Sequence, residues 1–553
     1  MILFTAYCFF QVLFTDTVYL SNAKIITLIL LTLLYFIWKN RFKSEKLLST
    51  GPYIILIAFV GAGLFQSAYG LGQLYGIFPV RPGSWFTLTG SFVNPDHFAG
   101  FVASILPFAF GLYYLNRGKK HSFGLLPIMA ACMVVLSLLV LPATTIRGSW
   151  LAAAGGVLVI MACKHDWFSV IKSVTNTKFK QTGALIAIVL ILAPIGFGLY
   201  AMKPDSAYGR LFIWQVALET VKENPFLGNG FDSYKTEHNN AQALFFASGD
   251  ASDRQIMAAG NVEHAHNEYL QILSEIGIIG LLIFLGIVVS ALQVKSEKPG
   301  TSTDAPDLHS RDVIRITAKA ALMSLLILAL FTFPFHILPT YINFFFILAL
   351  LSPLDQSEKD FSLRIPAAAG KGIAIIGILV AVLLAKHTWS QYQAHKTWET
   401  AFALSRAQLF EPAIRTYESA YPDLKHNGKF LFTYGGVLTA AERFDEALPL
   451  LERSKQYYSN PSLFMALGQT YENLKEFEKA KLHYRHASNI MPHRLYPLYR
   501  LVRLKEKAGE QENAVQLASQ IIRMEEKVPT TAAREIKEEM SDFINNSQPE
   551  ASQ

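Results

Sequence analysis

The sequence contains few charged residues and very few cysteines. Only 16% of its 553 residues are charged, whereas 52% are hydrophobic and the mean hydropathy is +0.29. This composition excludes an ordinary soluble domain and indicates an integral membrane protein with an attached soluble part. Cys8, Cys132 and Cys163 all lie in apolar stretches, which excludes a disulfide framework and a cysteine-based metal site but says nothing about the redox compartment.

Long apolar runs are abundant in the first 388 residues. Each approaches the ~20 residues that a bilayer requires, so we expect a polytopic all-α membrane domain at 1–388 with about eleven spans. The apolar N-terminus is counted as a span because no basic region precedes it. The predicted spans lie near residues 2–20, 24–38, 52–72, 97–115, 123–141, 149–163, 184–202, 269–293, 316–333, 339–354 and 371–387.

Basic residues are concentrated in alternate short loops. These loops lie around residues 39–46, 117–120, 164–180 and 295–315. By the positive-inside rule they face the cytoplasm, and their attraction to anionic headgroups explains the net charge of +7 without a nucleic acid partner. An odd number of spans then places the loop 203–268 and everything after residue 388 outside. A miscount at the first two spans, or near Pro334 and Pro339, would reverse the position of the tail.

The polar tail carries an internal repeat. The segments PAIRTYESA, EALPLLERS, EKAKLHYRHA and ENAVQLASQ place alanines 34, 33 and 34 residues apart, at Ala413, Ala447, Ala480 and Ala514. Such a period is typical of stacked helix pairs, and residues 392–526 resemble tetratricopeptide repeats. An unrelated helical bundle is the alternative. Residues 527–553 are expected to form a frayed helix or a disordered tail.

Ionisable residues mark the outer end of the eighth predicted span. Asn267 is placed to cap that helix. Glu268, Gln271 and Glu275 follow at positions i, i+3 and i+7, which lie on one helix face. Because carboxylates within a span are costly, they indicate a functional site. The alternative is that Glu275 only pairs with a neighbouring helix.

Two arginines and a histidine are predicted to reach the same outer side. Arg147 precedes a small-residue run at the mouth of the sixth span, Arg210 begins an amphipathic helix in the loop, and His266 precedes the eighth span. A guanidinium suits phosphate oxygens, and a neutral imidazole suits proton abstraction near neutral pH. The pattern predicts a pyrophosphate clamp beside a general base.

Simpler interpretations of these residues stay open. The arginines could only extend toward the membrane interface, and Arg210 could stack on Trp214 four residues later. His264 and His266 could bind zinc, although residues two apart do not share a helix face and no cysteine accompanies them.

The order of these motifs resembles the bacterial O-antigen ligase and polymerase superfamily, over residues 50–355. The family's ligase signature, a histidine followed by Asn, Ser or Gln, nine residues and a glycine, is met by His266, Asn267 and Gly277. Its closing threonine is Gly280 here, so the match supports membership more than ligase activity. NPDHFAG at 94–100 is similar to the family's Asn-Pro-Asn motif, with aspartate in place of the second asparagine.

The resemblance implies a membrane glycosyltransferase of fold type C in the bacterial inner membrane, active in cell-surface polysaccharide or lipopolysaccharide assembly. It would move a glycan from an undecaprenyl pyrophosphate donor to a glycan, lipid or protein hydroxyl, with inversion and with no metal or other cofactor. Arg147 and Arg210 would bind the pyrophosphate, and His266 would take the acceptor proton. The substrate pocket would be lined by Asn94, Asp96, Asn267, Glu268 and Glu275.

Two functions of other classes also fit parts of the sequence. A small-anion transporter would use outward arginines as well, but transporters commonly have internal repeats and broken helices, and the membrane part shows neither in its sequence. A non-catalytic envelope scaffold would use the membrane part as an anchor, with the repeats contacting another envelope protein.

Overall fold

The chain is helical and contains no strand over the residues that the computed structural model describes. These are residues 1–14, 23–44, 50–80, 85–116, 124–167, 177–295, 305–354 and 367–547, with Ser169, Ser173 and Thr175. The predicted fold class, an all-α membrane bundle followed by helical repeats, is confirmed.

The helices of the membrane part follow one another closely. They are α1 (Ile2–Phe14), α2 (Ala23–Ser44), α3 (Thr50–Leu74), α4 (Pro95–Asn116), α5 (Leu126–Ala143), α6 (Arg147–Lys164), α7 (Lys178–Ala201), α8 (Pro204–Glu223), α9 (Tyr234–Ala247), α10 (Asp253–Ala258), α11 (Glu268–Gln293), α12 (Ala305–Leu328) and α13 (Leu338–Leu351). A 3₁₀ turn at Pro334–His336 precedes α13.

A helix coincides with each of the eleven predicted spans, but fewer meet the requirements of a span. Within the described ranges, five helices are long and apolar enough to cross a membrane: Ala23–Lys43, Gly51–Leu74, Pro95–Asn116, Leu126–Ala143 and Glu268–Gln293. The count of eleven stays a prediction. Several basic loop residues used in the topology argument lie outside the described residues, namely Lys46, Arg117, Lys119, Lys120, Lys172 and Lys298.

Helix α4 lies at the centre of the membrane part and packs against α3, α5, α6 and α12. Small residues permit this close packing. A β-carbon on Gly156 of α6 would lie 2.3 Å from Pro107 of α4 and 2.8 Å from the carbonyl oxygen of Ala320 in α12. The small-residue run after Arg147 therefore fixes α6 against the centre of the bundle and holds its N-terminus at one end.

Helix α11 is broken near its start, a feature that the sequence did not predict. Gly277 has φ +67° and non-helical geometry. The turn 225–231 fills the break: the amides of Asn229 and Gly230 donate to the carbonyls of Ser274 and Glu275 at 3.0 and 2.8 Å. Backbone groups freed at the break in α11 are thus satisfied by the turn.

The repeats form helix pairs with a common turn. The helices are α15 (Phe410–Leu424), α16 (Gly428–Ala440), α17 (Phe444–Ser454), α18 (Pro461–Asn473), α19 (Phe477–Ile490), α20 (Leu495–Lys507), α21 (Gln511–Arg523) and α22 (Thr531–Ser547). Left-handed residues recur at the predicted period, at Gln408, Glu442, Lys475 and Gly509. The four repeat alanines are fully buried, and Gly468 leaves the space that the ring of Tyr484 occupies.

Two boundaries differ from those expected. Helix α14 (Ala367–Arg406) runs without a break from the predicted last span into the first repeat, across the predicted domain boundary. The expected frayed tail is instead an ordered helix over Thr531–Ser547, because Met540 and Phe543 bury their side chains against α21. Residues 548–553 lie outside the described part of the chain.

Candidate functional site

A cationic pocket brings together residues from three separate parts of the membrane domain. Arg147 lies in the first turn of α6, Arg210 in the second turn of α8, and Asp96 in the first turn of α4. Lys203, immediately before α8, joins them and donates a hydrogen bond to Thr145 Oγ1 at 3.1 Å. The predicted arginine pair is therefore present in the structure as one pocket.

The electrostatics of this pocket favour an anionic occupant. Burial lowers the pKa of Arg210, Asp96 raises it, and the like charge of Arg147 lowers it. One carboxylate thus faces two guanidinium groups and the ammonium of Lys203, which leaves an excess of positive charge. A bound phosphate would offset that repulsion and accept several charge-assisted hydrogen bonds.

His266 lies beside the cationic pocket as a neutral imidazole. Its pKa is lowered to about 4, chiefly by burial and also by the charge of Arg210, while Asp96 opposes the change. Its Nδ1 is buried and makes no hydrogen bond to described protein atoms. Its backbone has φ +50°, an uncommon conformation outside glycine that fixes the direction of the ring. The lowered pKa keeps the imidazole unprotonated at neutral pH, the form that can accept a proton.

Asp96 and Asn94 have different places, although both belong to the predicted pocket. Asp96 Oδ2 accepts a hydrogen bond from Thr332 Oγ1 at 2.8 Å, while its Oδ1 is buried and has no partner among the described protein atoms. Asn94 Oδ1 accepts from the amides of Asp96 and His97 at 2.8 and 3.1 Å. Asn94 therefore caps α4 and does not line the cationic pocket.

A second polar cluster lies on the predicted face of α11. Glu268, Gln271 and Glu275 are all buried there. His336 Nδ1 lies 3.2 Å from Glu268 Oε1, and Gln271 Nε2 lies 2.9 Å from both His336 Nε2 and Glu275 Oε1. The backbone amide of Asp232 donates to Glu275 Oε2 at 3.1 Å.

The hydrogen bonds described above for this acidic cluster go to residues other than His266. Glu268 contacts His336, 68 residues away in sequence, and Glu275 contacts the loop at Asp232. Asn267 is used as the predicted cap of α11, accepting from the amide of Leu270 at 3.1 Å. Lys24 forms an ion pair with Asp232 at the edge of the cluster.

Phe333 lies between His266, beside the cationic pocket, and the acidic cluster of α11. Its ring is stacked on His264 at 4.2 Å and lies edge-on to His266 at 5.1 Å. His264 in turn contacts His336 at 4.6 Å between ring centroids, and burial lowers the pKa of His264 to about 2. His264 therefore belongs with the acidic cluster, whereas His266 belongs with the arginines. No group of three or more potential metal ligands occurs in the part of the chain that the structure describes.

Sequence reasoning missed Lys203, Thr332, Phe333 and His336. The sequence carries a weak signal for two of them, Lys203 and His336. Lys203 directly precedes Pro204 at the start of the helix that carries Arg210, and His336 lies between two prolines before an apolar run. Neither signal identifies a partner, because the contacts that define these residues come from distant segments.

Two parts of the chain match known protein families. Residues 132–285, which include both arginines and His266, match the family described as O-Antigen ligase. Residues 395–457 match the family described as YpiA-like, C-terminal tetratricopeptide repeats.

Several curated proteins are similar to the membrane part. A protein named "putative polysaccharide ligase" from Rickettsia felis is 29% identical over 220 residues, which are 35% of this chain and 49% of the relative. A protein of that name from Rickettsia bellii is 29% identical over 225 residues, or 37% and 53%. The exopolysaccharide production protein ExoQ of Rhizobium meliloti is 23% identical over 179 residues, or 26% and 38%.

The chain spans about half the length of the Rickettsia relatives it matches. The resemblance found in the sequence is confirmed by these matches. The protein is a polysaccharide ligase-like membrane protein, similar over residues 132–285 to the O-antigen ligase family and over residues 395–457 to tetratricopeptide repeats.

Proposed function

We propose that this protein transfers a glycan from an undecaprenyl pyrophosphate donor to an acceptor hydroxyl at the outer face of the bacterial inner membrane. The observation that carries the proposal is the pairing of the cationic pocket with a neutral His266 at the mouth of an apolar helix. A polyprenyl chain would lie in the bilayer while its pyrophosphate reaches the pocket. The names of the similar proteins support a polysaccharide substrate.

Each group has a defined role in the proposed reaction. The acceptor oxygen forms a bond to the anomeric carbon as the bond from that carbon to the pyrophosphate oxygen breaks. His266 takes the proton of the acceptor hydroxyl. Arg147 and Arg210 stabilise the charge that develops on the departing pyrophosphate, which leaves with the electron pair. A single displacement of this kind inverts the anomeric carbon.

The remaining predicted residues are proposed to shape the site. Asp96 faces the arginines and, with Thr332, keeps them oriented for phosphate oxygens. Glu268 and Glu275 are proposed to line the neighbouring cavity with His336, where the acceptor would approach. Asn94 and Asn267 would act through the helices that they cap. The cations of the pocket supply the charge for which other enzymes use a metal ion, so we propose metal-independent transfer.

The proposal is tested in membranes from a deletion strain that expresses the full chain. Radiolabelled undecaprenyl pyrophosphate-linked glycan is supplied, and released lipid pyrophosphate and glycan product are both measured. Membranes with the protein should form both in equal amounts, with no change on adding a chelator. A chain with Arg147→Ala and Arg210→Ala should form neither. Equal turnover in the two preparations would contradict the proposal, as would anion uptake into vesicles without any glycan transfer.

A further inference from the structure

The repeats are held against the outer loop by hydrogen bonds from α9. Asn239 Nδ2 donates to the carbonyl of Ser459 at 2.9 Å, and Gln242 Nε2 donates to the carbonyl of Ile490 at 2.6 Å. Both side chains are fully buried. His493 Nδ1 adds a contact to the carbonyl of Ile256 at 3.2 Å. Buried amides of this kind fix the position of the repeats relative to the loop.

This contact leaves a polar cleft between the loop and the first repeats. Its volume is about 560 Å³, within the range of roughly 300–1,000 Å³ that is usual for small-molecule sites. The loop side contributes Asp232, Lys235 and Glu263. The repeat side contributes aromatic and charged side chains, namely His395, Trp398, Asp423, Lys429 and Tyr458.

The composition of the cleft suits a carbohydrate. Sugar hydroxyls accept hydrogen bonds from ammonium groups and donate to carboxylates, and the apolar face of a sugar ring packs on an aromatic ring. Lys235 and Lys429 supply donors, Glu263 and Asp423 supply acceptors, and Tyr458 supplies a ring. A membrane lipid or an apolar helix would not be matched by these alternating charges.

The cleft adjoins the cavity beside the candidate active site. Ala23 and Lys24 line both spaces, and the cavity is also lined by Glu268, Glu275 and His336. An elongated ligand in the cleft would therefore extend toward Glu268 and His336, and the ring of His336 contacts His264. We propose that this cleft binds the acceptor glycan of the reaction, an inference that rests on the proposed transferase function.

Two substitutions test the cleft without touching the candidate catalytic residues. Lys429 is exposed at the start of α16, so Lys429→Ala should leave the fold intact, and Lys425→Ala, on an exposed lysine outside the cleft, is its control. Tyr458→Ala removes an aromatic ring, and Tyr496→Ala removes a half-exposed ring elsewhere on the repeats.

The probe is the water-soluble glycan released by mild acid from the lipid-linked pool of the deletion strain, radiolabelled at its reducing end and used as an acceptor analogue because its hydroxyls are free. It is titrated against the full chain in detergent. Lys429→Ala and Tyr458→Ala should each weaken binding about tenfold. In membranes, both should raise the KM for the acceptor by a similar factor while leaving donor cleavage by water unchanged. The two control variants should match the wild-type protein.

The outcomes separate the cleft from the reaction. If the wild-type chain transfers glycan and both cleft variants have unaltered acceptor KM and unaltered probe binding, the cleft inference is wrong and the transferase function stands. If the wild-type chain binds no probe and transfers no glycan, both proposals fail. Binding of a purified envelope protein that depends on Lys429 and Tyr458, with no binding of the glycan, would also overturn the inference in favour of a protein site.

Discussion

Gly228 and Gly277 contact each other's chain so closely that neither position has space for a side chain. A β-carbon on Gly277 would lie 2.1 Å from the carbonyl oxygen of Phe226, and one on Gly228 would lie 2.4 Å from the carbonyl oxygen of Glu275. Both glycines have positive φ: +76° at Gly228 and +67° at Gly277. This contact sets the break in α11 and therefore the position of Glu275 relative to the outer loop.

We predict that Gly277→Ala lowers the free energy of unfolding by about 2–4 kcal/mol, because the new methyl group meets backbone atoms and the φ value disfavours alanine. The measurement is the apparent melting temperature of the full chain in mild detergent. Gly286→Ala is the control, since a β-carbon at that position of α11 meets nothing within 4 Å. Equal melting temperatures for the two variants would show that the chain relaxes at the break.

Arg147→Lys and Arg210→Lys should each reduce transfer about 10- to 100-fold, although the charge is kept. A lysine provides a point charge and cannot form the two parallel hydrogen bonds that a guanidinium makes to phosphate oxygens. The assay is initial transfer rate per unit of folded protein in membranes. Arg254→Lys, at an exposed arginine in α10 stacked on Tyr208, should be neutral. Full activity in both pocket variants would mean that these arginines only extend to the interface.

His266→Ala should leave a folded protein with transfer reduced by ~10² to 10⁴, the usual loss for a positioned base. His264→Ala should keep more activity per folded molecule, because His264 lies with the acidic cluster. It should melt earlier, however, since its ring packs on Phe333 and His336. Product glycan is compared at matched folded protein. An inactive His264→Ala beside an active His266→Ala would show that the base is wrongly identified.

The pH dependence of transfer follows from the lowered pKa of His266. A base with a pKa of about 4 stays neutral from pH 5 upward, so the acid side of the rate profile should be flat down to about pH 5 and fall below it. Between pH 6.5 and 4 the unfolded chain binds a proton that the folded site excludes, so stability should also fall as the pH decreases through that window. A rate profile that halves near pH 6.5 would indicate a base exposed to solvent.

Reporters placed in the loop and after the repeats should lie on the same side of the membrane, and that side should be outside. Insertion of alkaline phosphatase at Gly249, in the exposed turn between α9 and α10, and fusion after Ser547 should both give activity. Two inactive fusions would refute the span count but keep the contact between loop and repeats. One active and one inactive fusion would refute that contact.

Local patterns in the sequence predicted the local parts of the structure. These parts are the cap at Asn267 and the shared face of Glu268, Gln271 and Glu275, which depend on neighbours within one helix. The repeat period was predicted as well, because it is visible along the sequence. Those patterns could not reveal which distant residues contact these side chains. His336 reaches Glu268 across 68 positions, and residues 225–231 satisfy the broken helix from nearly 50 residues away.

The end of the chain depends on tertiary packing. The helix at Thr531–Ser547 is held by apolar contacts with α21, whereas its polar composition alone indicated a frayed end. The convergence of Arg147, Arg210 and His266 was anticipated from topology, yet the division between this group and the acidic cluster depends on Phe333, whose position no spacing indicates.

Helix α14 affects how a glycan bound at the repeats would reach the candidate active site. Its 40 residues form a stiff rod about 60 Å long, so the repeats are not on a tether that samples a large volume. A flexible tether would dilute a bound chain over that volume and lower its effective concentration as the tether lengthened. A continuous helix, with the repeats held to α9, instead presents the ligand at a defined distance, and its local concentration becomes a property of the fold.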